Sequence, residues 1–205
     1  MTLPTTYSWV PRGHRLRVPY HAPQGRRVNV IGAYFTHGPQ TGRLAYRSWA
    51  VLPQSRAKTP RTTPEERAAA HGLTLEEVGP IDAERLVAFL WQIAGRPADA
   101  APDWRRERPL VIALDNYAVH TGQTVAATRP LLAAANIALV YLARYCPEQS
   151  DIEPLWNDIK AHQIPQRSFA QVADLKHAVD DALTRKAQQL QQTLAKPTNV
   201  HRPAA

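Results

Sequence analysis

The sequence predicts an α/β fold, in which a mixed sheet carries helices on its faces. Two strand-like segments, residues 26–36 and 43–51, lie on either side of a turn and are predicted to pair as a hairpin. Two later apolar runs, residues 109–114 and 137–142, alternate with helical patterns, as parallel strands joined by crossovers do. This order of elements predicts one sheet with both antiparallel and parallel pairs.

The hairpin prediction depends on local composition. Both segments are rich in β-branched and aromatic residues, and residues 37–42 (HGPQTG) contain the glycine and proline that turns favour. Residues 53–64 hold three prolines among polar and basic residues and are predicted to be a loop. Residues 65–77 are predicted to contain a short helix, which is broken at Gly72.

The helices are predicted from apolar spacing and end signals. Asp82 is expected to cap a helix that ends at residues 95–97, because capping favours Asp and glycine ends helices. This helix has apolar residues at helical spacing: Leu86, Phe89, Leu90 and Ile93. Further helices are predicted over residues 123–135 and 169–194. Another is predicted to begin near Asp151, with Ser150 or Asp151 as its cap and with an apolar face formed by Ile152, Leu155, Trp156 and Ile159.

The two apolar runs are predicted to be buried strands. Residues 109–114 and 137–142 are nearly continuous in apolar side chains and are bounded by polar residues. A strand of a parallel sheet that is covered on both faces has this composition. We therefore expect both strands to be buried on both faces.

Charge is distributed unevenly along the chain. The net charge is +8, and residues 1–64 hold ten Arg and Lys side chains and no Asp or Glu. The rest of the chain holds 15 basic and 17 acidic side chains. A basic segment of this kind suits a polyanion such as DNA, because neutralising phosphates releases counterions. A basic surface without a partner has the same composition, so charge alone leaves both interpretations open.

Composition also excludes some classes of protein. Cys146 is the only cysteine, which excludes an internal disulfide and a zinc site built from several cysteines. No run approaches the roughly 18 apolar residues of a membrane span, and residues 1–5 show no signal-peptide pattern. We expect a cytoplasmic protein with no membrane partner.

Two carboxylates occupy positions that suit metal chemistry. Asp115 directly follows the run 109–114, and Glu153 lies at the start of the helix after the second run. Separately, Asp115 resembles a turn cap and Glu153 a first-turn acid that stabilises the helix dipole. Together they lie one crossover apart and are predicted to meet at the edge where ligands collect in open sheets. Paired carboxylates there suit Mg²⁺-dependent phosphoryl transfer.

The motifs around these carboxylates resemble a known family. Residues 114–120 (LDNYAVH) resemble the Asp-Asn-x-x-x-His element of mariner-type transposases and their bacterial insertion-sequence relatives. Residues 141–156 (YLARYCPEQSDIEPLW) resemble the family's Leu-Pro-x-Tyr-Ser-Pro-x-Leu-Asn-Pro-Ile-Glu-x-x-Trp element, and Lys160 matches the Lys that follows. Residues 7–13 and 27–33 resemble segments that follow the family's first catalytic Asp.

The resemblance implies a fold, a reaction and partners. It implies a ribonuclease-H-like mixed sheet flanked by helices, with Asp115 and Glu153 as catalytic metal ligands for Mg²⁺ or Mn²⁺. It further implies cleavage and strand transfer on double-stranded DNA, near the bacterial nucleoid, by a protein that is expected to form a homodimer. The domain is expected to span residues 1–195, with the basic hairpin segment in residues 1–64 and a flexible tail at residues 196–205.

The chain departs from the family pattern in two places. Family residues are replaced by Ala143, by Cys146 and at residues 149–151, all in the segment before Glu153. The first catalytic Asp, which the family carries on a strand before the segment at residues 7–13, has no counterpart, because no acidic residue precedes Glu65. We therefore expect a catalytic domain that is truncated at its N-terminus, lacks its first strand, and is inactive alone.

Other residues are candidates for DNA contacts. Lys160 shares a helix face with Glu153, which suits a contact with phosphate, although a solvated lysine has the same pattern. His120 suits a contact with DNA or metal, or a structural role after a turn. The basic segment adds Arg12, Arg15, Arg26 and Arg27 as expected DNA contacts.

Three functions remain open at this point. The first is a transposase catalytic domain, and the second is a non-catalytic remnant that binds DNA through residues 1–64. The third is a ribonuclease-H-like nuclease for RNA–DNA hybrids, against which the stretch at residues 151–156 argues.

Overall fold

A computed structural model describes residues 26–53, 62–143, 146–164 and 169–195, together with Arg12. Within these ranges the chain forms an α/β structure of two small sheets flanked by helices, which confirms the predicted fold class and is consistent with a ribonuclease-H-like domain. None of the helices in these ranges is long and apolar enough to cross a membrane.

The first sheet is the predicted hairpin. Strand β1 (Arg27–Tyr34) pairs antiparallel with β2 (Leu44–Val51) over their whole lengths. The turn is closed by a hydrogen bond of 2.7 Å from the Gly42 backbone N–H to the Phe35 carbonyl oxygen. Gly42 has a φ of +79°, which glycine adopts at little cost. The turn chemistry explains why local composition was sufficient to predict this element.

A short helical segment follows the hairpin. Helix α1 (Pro64–Ala69) begins one residue inside the predicted loop, because Thr63 caps it and proline is tolerated in a first turn. The predicted break at Gly72 is confirmed, with a φ of +70°, and one 3₁₀ turn (Leu75–Glu77) follows. Residues 54–61, which belong to the segment predicted to be a loop, lie outside the described residues.

Helix α2 (Ala83–Ile93) begins and ends as predicted. The Asp82 carboxylate accepts a hydrogen bond of 2.8 Å from the Arg85 backbone N–H, and Gly95 lies beyond the end of the helix with a φ of +76°. All four residues of the predicted apolar face are buried: Leu86, Phe89, Leu90 and Ile93.

The second sheet consists of the predicted parallel pair. Strand β3 (Leu110–Leu114) pairs with β4 (Ile137–Tyr141), and the two are joined through α3 (Ala118–Thr121) and α4 (Gln123–Ala134). Helix α3 is a single turn that the sequence pattern did not predict. The rest of the chain forms α5 (Glu153–Asp158), a π-helical turn (Ile159–Gln163) and the long helix α6 (Val172–Ala195).

The prediction that β3 and β4 are buried on both faces is wrong. Ile112 and Leu139 are buried in one core with side chains of α2 and α4. On the opposite face Val111 is 64% exposed and Val140 is 49% exposed. Both strands are apolar on both faces, but within the described ranges only the face of Ile112 and Leu139 packs in a core.

The hairpin, in contrast, lies between two cores. Its first face, which includes Ile31 and Trp49, shares the core of α2, α4 and the parallel pair. Its second face, which includes Val28 and Leu44, packs against α5, the π-helical turn and α6. Among the described residues the hairpin and the parallel pair are separate two-stranded sheets, not the one sheet that the order of elements predicted, because α6 packs on the hairpin and no hydrogen bonds pair a strand of one sheet with a strand of the other.

Candidate active site

Asp115 lies at the C-terminal end of β3, as predicted. Its side chain is 60% exposed. The Oδ1 atom accepts a hydrogen bond of 3.0 Å from the Tyr117 backbone N–H, which is the turn-capping contact that a short polar side chain makes after a strand. In the described part of the chain, Oδ2 forms no hydrogen bond or ion pair. One carboxylate oxygen is therefore held by the fold, and the other faces no protein partner in the described part of the chain.

His120 is the second group that holds Asp115. The His120 Nδ1 atom lies 2.6 Å from Asp115 Oδ1 and 3.2 Å from the Asp115 backbone oxygen. The His120 ring is 18% exposed and packs edge-on against the Tyr117 ring, with centroids 6.0 Å apart. The sequence left the role of His120 open. The feature that could have indicated this contact is the spacing of five residues between Asp115 and His120 across a tight turn.

Two hydrogen bonds join the segment after β3 to the end of β4. The Asn116 side-chain amide donates to the Leu142 carbonyl oxygen at 2.6 Å. The Tyr141 hydroxyl donates to the His120 carbonyl oxygen at 2.7 Å. Both bonds connect the Asp115 turn to the strand that leads to Glu153. Their partners lie more than 20 positions apart along the chain, which is why the sequence pattern did not reveal them.

The segment before Glu153 forms a compact turn. One 3₁₀ turn spans Pro147–Gln149, and the Gln149 side-chain oxygen accepts a hydrogen bond of 3.2 Å from the Ala143 backbone N–H. Gln149 and Ala143 are two of the positions that depart from the family pattern, and here they contact each other. Residues 144 and 145 lie outside the described ranges.

Glu153 is the first residue of α5 and is half-buried. The predicted side-chain cap by Ser150 or Asp151 is wrong, because the capping position is Ile152 and no side chain caps the helix. The Ser150 backbone oxygen instead accepts the Glu153 N–H at 3.0 Å. Within the described ranges, the Glu153 carboxylate forms no hydrogen bond or ion pair.

Helix α5 is fixed against β1 through one close contact. Its apolar face packs as predicted in the second core. A Cβ atom placed on Gly32 would lie 2.6 Å from Trp156 Cη2, which real side chains do not tolerate. Glycine at position 32 therefore sets how closely the helix that begins with Glu153 approaches the hairpin.

Contacts along the chain connect the two carboxylate segments. Asn116 is hydrogen-bonded to Leu142 after β4, Ala143 to Gln149, and Ser150 to Glu153. Asp115 and Glu153 form no hydrogen bond or ion pair with each other. The described ranges contain no group of three or more His, Cys, Asp and Glu side chains that could hold a metal ion. Two hard carboxylate donors fit Mg²⁺ or Mn²⁺ chemically, because these ions prefer oxygen ligands.

The expected DNA contacts are dispersed. Lys160 lies in the π-helical turn after α5 and is half-buried. Arg12 and Arg27 are exposed, Arg26 is half-buried, and Arg15 lies outside the described residues. In the described part of the chain these side chains make no contact with one another, so their role in DNA binding stays a prediction.

The comparisons with known proteins found one family. Residues 69–176 match the family model described as DDE superfamily endonuclease. The matched range contains both Asp115 and Glu153, and it begins after the basic segment of residues 1–64. Searches of curated proteins and of solved structures found no match.

Proposed function

The chain belongs to the DDE superfamily endonuclease family, and from that membership we propose that it is a transposase-type nuclease domain acting on double-stranded DNA. One observation supports the proposal: within the matched range, Asp115 lies at the C-terminal end of the parallel strand β3 and Glu153 begins α5, the helix after β4. We further propose that the chain is related to mariner-type and bacterial insertion-sequence transposases, on the motifs at residues 114–120 and 141–156.

We assign metal binding to the two carboxylates. Asp115 has one oxygen with no recorded protein partner, and the Glu153 carboxylate has no recorded partner in the described ranges, so both can serve as ligands. Asp115 and Glu153 would hold Mg²⁺ or Mn²⁺, which would supply there the activation of an attacking water and the stabilisation of a leaving oxygen in phosphoryl transfer. We further propose that Lys160, seven residues after Glu153, contacts a DNA phosphate. Cleavage in transposition frees a 3′-hydroxyl, which then attacks target DNA.

The chain alone is expected to have little activity. The family mechanism uses three carboxylates, and residues 1–64 contain no Asp or Glu that could serve as the first. Two ligands hold a divalent cation less firmly than three and leave its position less defined. We propose that the working protein is a homodimer near the nucleoid.

A DNA nicking assay tests this proposal. Purified chain incubated with supercoiled plasmid and Mg²⁺ or Mn²⁺ should give little or no nicked product above the background of Asp115→Ala. Strong Mg²⁺-dependent nicking that is lost in Asp115→Ala would contradict the expected inactivity while supporting the metal site. Glu148→Gln is the matched control, because Glu148 is exposed in the same segment and is outside the proposed ligand pair.

A second candidate is a non-catalytic DNA-binding role for the basic segment. The observation that favours it is the restriction of the positive excess to residues 1–64. This role predicts that the chain binds any duplex and that its affinity falls steeply with salt. The affinity should also fall in Arg27→Gln and be unchanged in Glu153→Gln. Arg105→Gln is the control, because Arg105 is an exposed basic residue outside the segment. Binding without salt dependence would eliminate this candidate.

A further inference from the structure

The turn after β3 places a histidine against the proposed metal ligand. His120 Nδ1 lies within 3.2 Å of two oxygens of Asp115, the side-chain Oδ1 and the backbone oxygen. Both oxygens are hydrogen-bond acceptors when the carboxylate is ionised. An imidazole nitrogen that faces two acceptors must carry a proton, so the contact requires the form of His120 in which Nδ1 is the donor.

The surroundings of His120 fix its position. The Tyr141 hydroxyl holds its carbonyl oxygen from β4, and the Tyr117 ring packs against its edge. The Tyr117 backbone N–H also binds Asp115 Oδ1. The Asp115 carboxylate is thus held by two donors on the same oxygen, although the side chain is mostly exposed and would otherwise rotate freely.

We infer that His120 is a positioning residue, which holds Asp115 Oδ1 so that Oδ2 is directed toward a divalent cation. The inference rests on the proposed function, because it takes Asp115 as a metal ligand. Partners that orient metal ligands by hydrogen bonding commonly change metal affinity by about 10- to 100-fold when they are removed. His120 acts through Asp115 and is not itself assigned as a ligand.

The first test is independent of metal. Long-range ¹H–¹⁵N NMR on the full chain at alkaline pH, where imidazole rings are neutral, distinguishes protonation at Nδ1 from protonation at Nε2. The His120 signals are identified by their loss in His120→Asn. We expect the proton on Nδ1. A neutral ring that carries its proton on Nε2 alone would overturn the inference, whatever the protein does with metal.

The second test measures Mn²⁺ binding by calorimetry in four chains. Asn places its amide nitrogen where His carries Nδ1, so His120→Asn should bind Mn²⁺ within about threefold of the unchanged chain, whereas His120→Ala should bind about 10-fold or more weakly. Thermal melting of each variant reports whether folding has changed. Equal binding by His120→Ala and the unchanged chain overturns the inference, and so does weakening in His120→Asn as large as in His120→Ala.

The fourth chain, Asp115→Ala, separates this inference from the proposed function. Unchanged Mn²⁺ binding in Asp115→Ala contradicts the proposed metal site itself. If Asp115→Ala binds Mn²⁺ more weakly while His120→Ala binds it as tightly as the unchanged chain, the role of His120 is contradicted and the proposed metal site is not.

Discussion

The Trp156 ring lies directly over Gly32, so that a Cβ at position 32 would approach Trp156 Cζ2 to 2.7 Å. The two residues are far apart in sequence, yet their contact joins β1 to the helix that begins with Glu153. The position of a proposed metal ligand therefore depends on a glycine in the hairpin.

Gly32→Ala should destabilise the chain and displace α5. The added methyl group must push the Trp156 ring away, and overpacking of this kind typically costs about 1–3 kcal/mol. Urea denaturation measures the loss in free energy of unfolding. Gly122→Ala is the control, because the nearest atom to a Cβ at position 122 is 3.7 Å away. If Trp156→Phe in the Gly32→Ala background restores none of the loss, the proposed clash is not its cause.

Glu77 should make stability depend on pH in the acidic range. The Thr74 backbone N–H, with the Thr74 hydroxyl and Lys176, holds the pKa of Glu77 below its ordinary value of 4.5, and burial opposes this shift. Because the pKa is lower in the folded chain than in the unfolded chain, ionised Glu77 stabilises the fold above pH 4.5. This contribution is lost as pH falls through the lowered folded value.

The matched variants for this effect are Glu77→Gln and Glu76→Gln. We expect Glu77→Gln to unfold at a lower temperature than the unchanged chain at neutral pH, with the difference shrinking as pH falls below 4.5. Glu76 is exposed, so Glu76→Gln should show little difference at any pH. A difference for Glu77→Gln that stays constant from neutral to acidic pH would argue against the assigned contacts.

Neighbouring positions of β3 should respond very differently to truncation. Ile112 is buried and Val111 is 64% exposed. Ile112→Ala should therefore cost about 2–5 kcal/mol, whereas Val111→Ala should cost less than about 1 kcal/mol. Chemical denaturation of the two variants measures both. Comparable losses would mean that another part of the protein covers the Val111 face.

The sequence predicted those features that depend on neighbouring residues. The Asp82 cap, the break at Gly72 and the hairpin turn each follow from a short stretch of chain, and each is confirmed. The burial of Val111 was predicted wrongly, because an apolar side chain does not reveal whether a helix elsewhere covers it. The cap of α5 was predicted wrongly because Ser150 contributes its backbone oxygen to the turn.

Only part of the candidate site was predicted, because only some of its features depend on neighbouring residues. The strand-end position of Asp115 and the helix-start position of Glu153 follow from local patterns. The contact of His120 with Asp115 depends on the path of a tight turn, and the bond from Asn116 to Leu142 depends on the pairing of two strands. Such contacts are fixed by tertiary structure, which periodicity and composition do not encode.

The most direct test of the account is a Mn²⁺ titration of the unchanged chain, Asp115→Ala, Glu153→Gln and Glu148→Gln by calorimetry. We expect the unchanged chain and Glu148→Gln to bind Mn²⁺ alike. We expect Asp115→Ala and Glu153→Gln each to bind it at least about 10-fold more weakly, because each removes one of two carboxylate ligands. Equal Mn²⁺ binding by all four chains would contradict a metal site formed by Asp115 and Glu153.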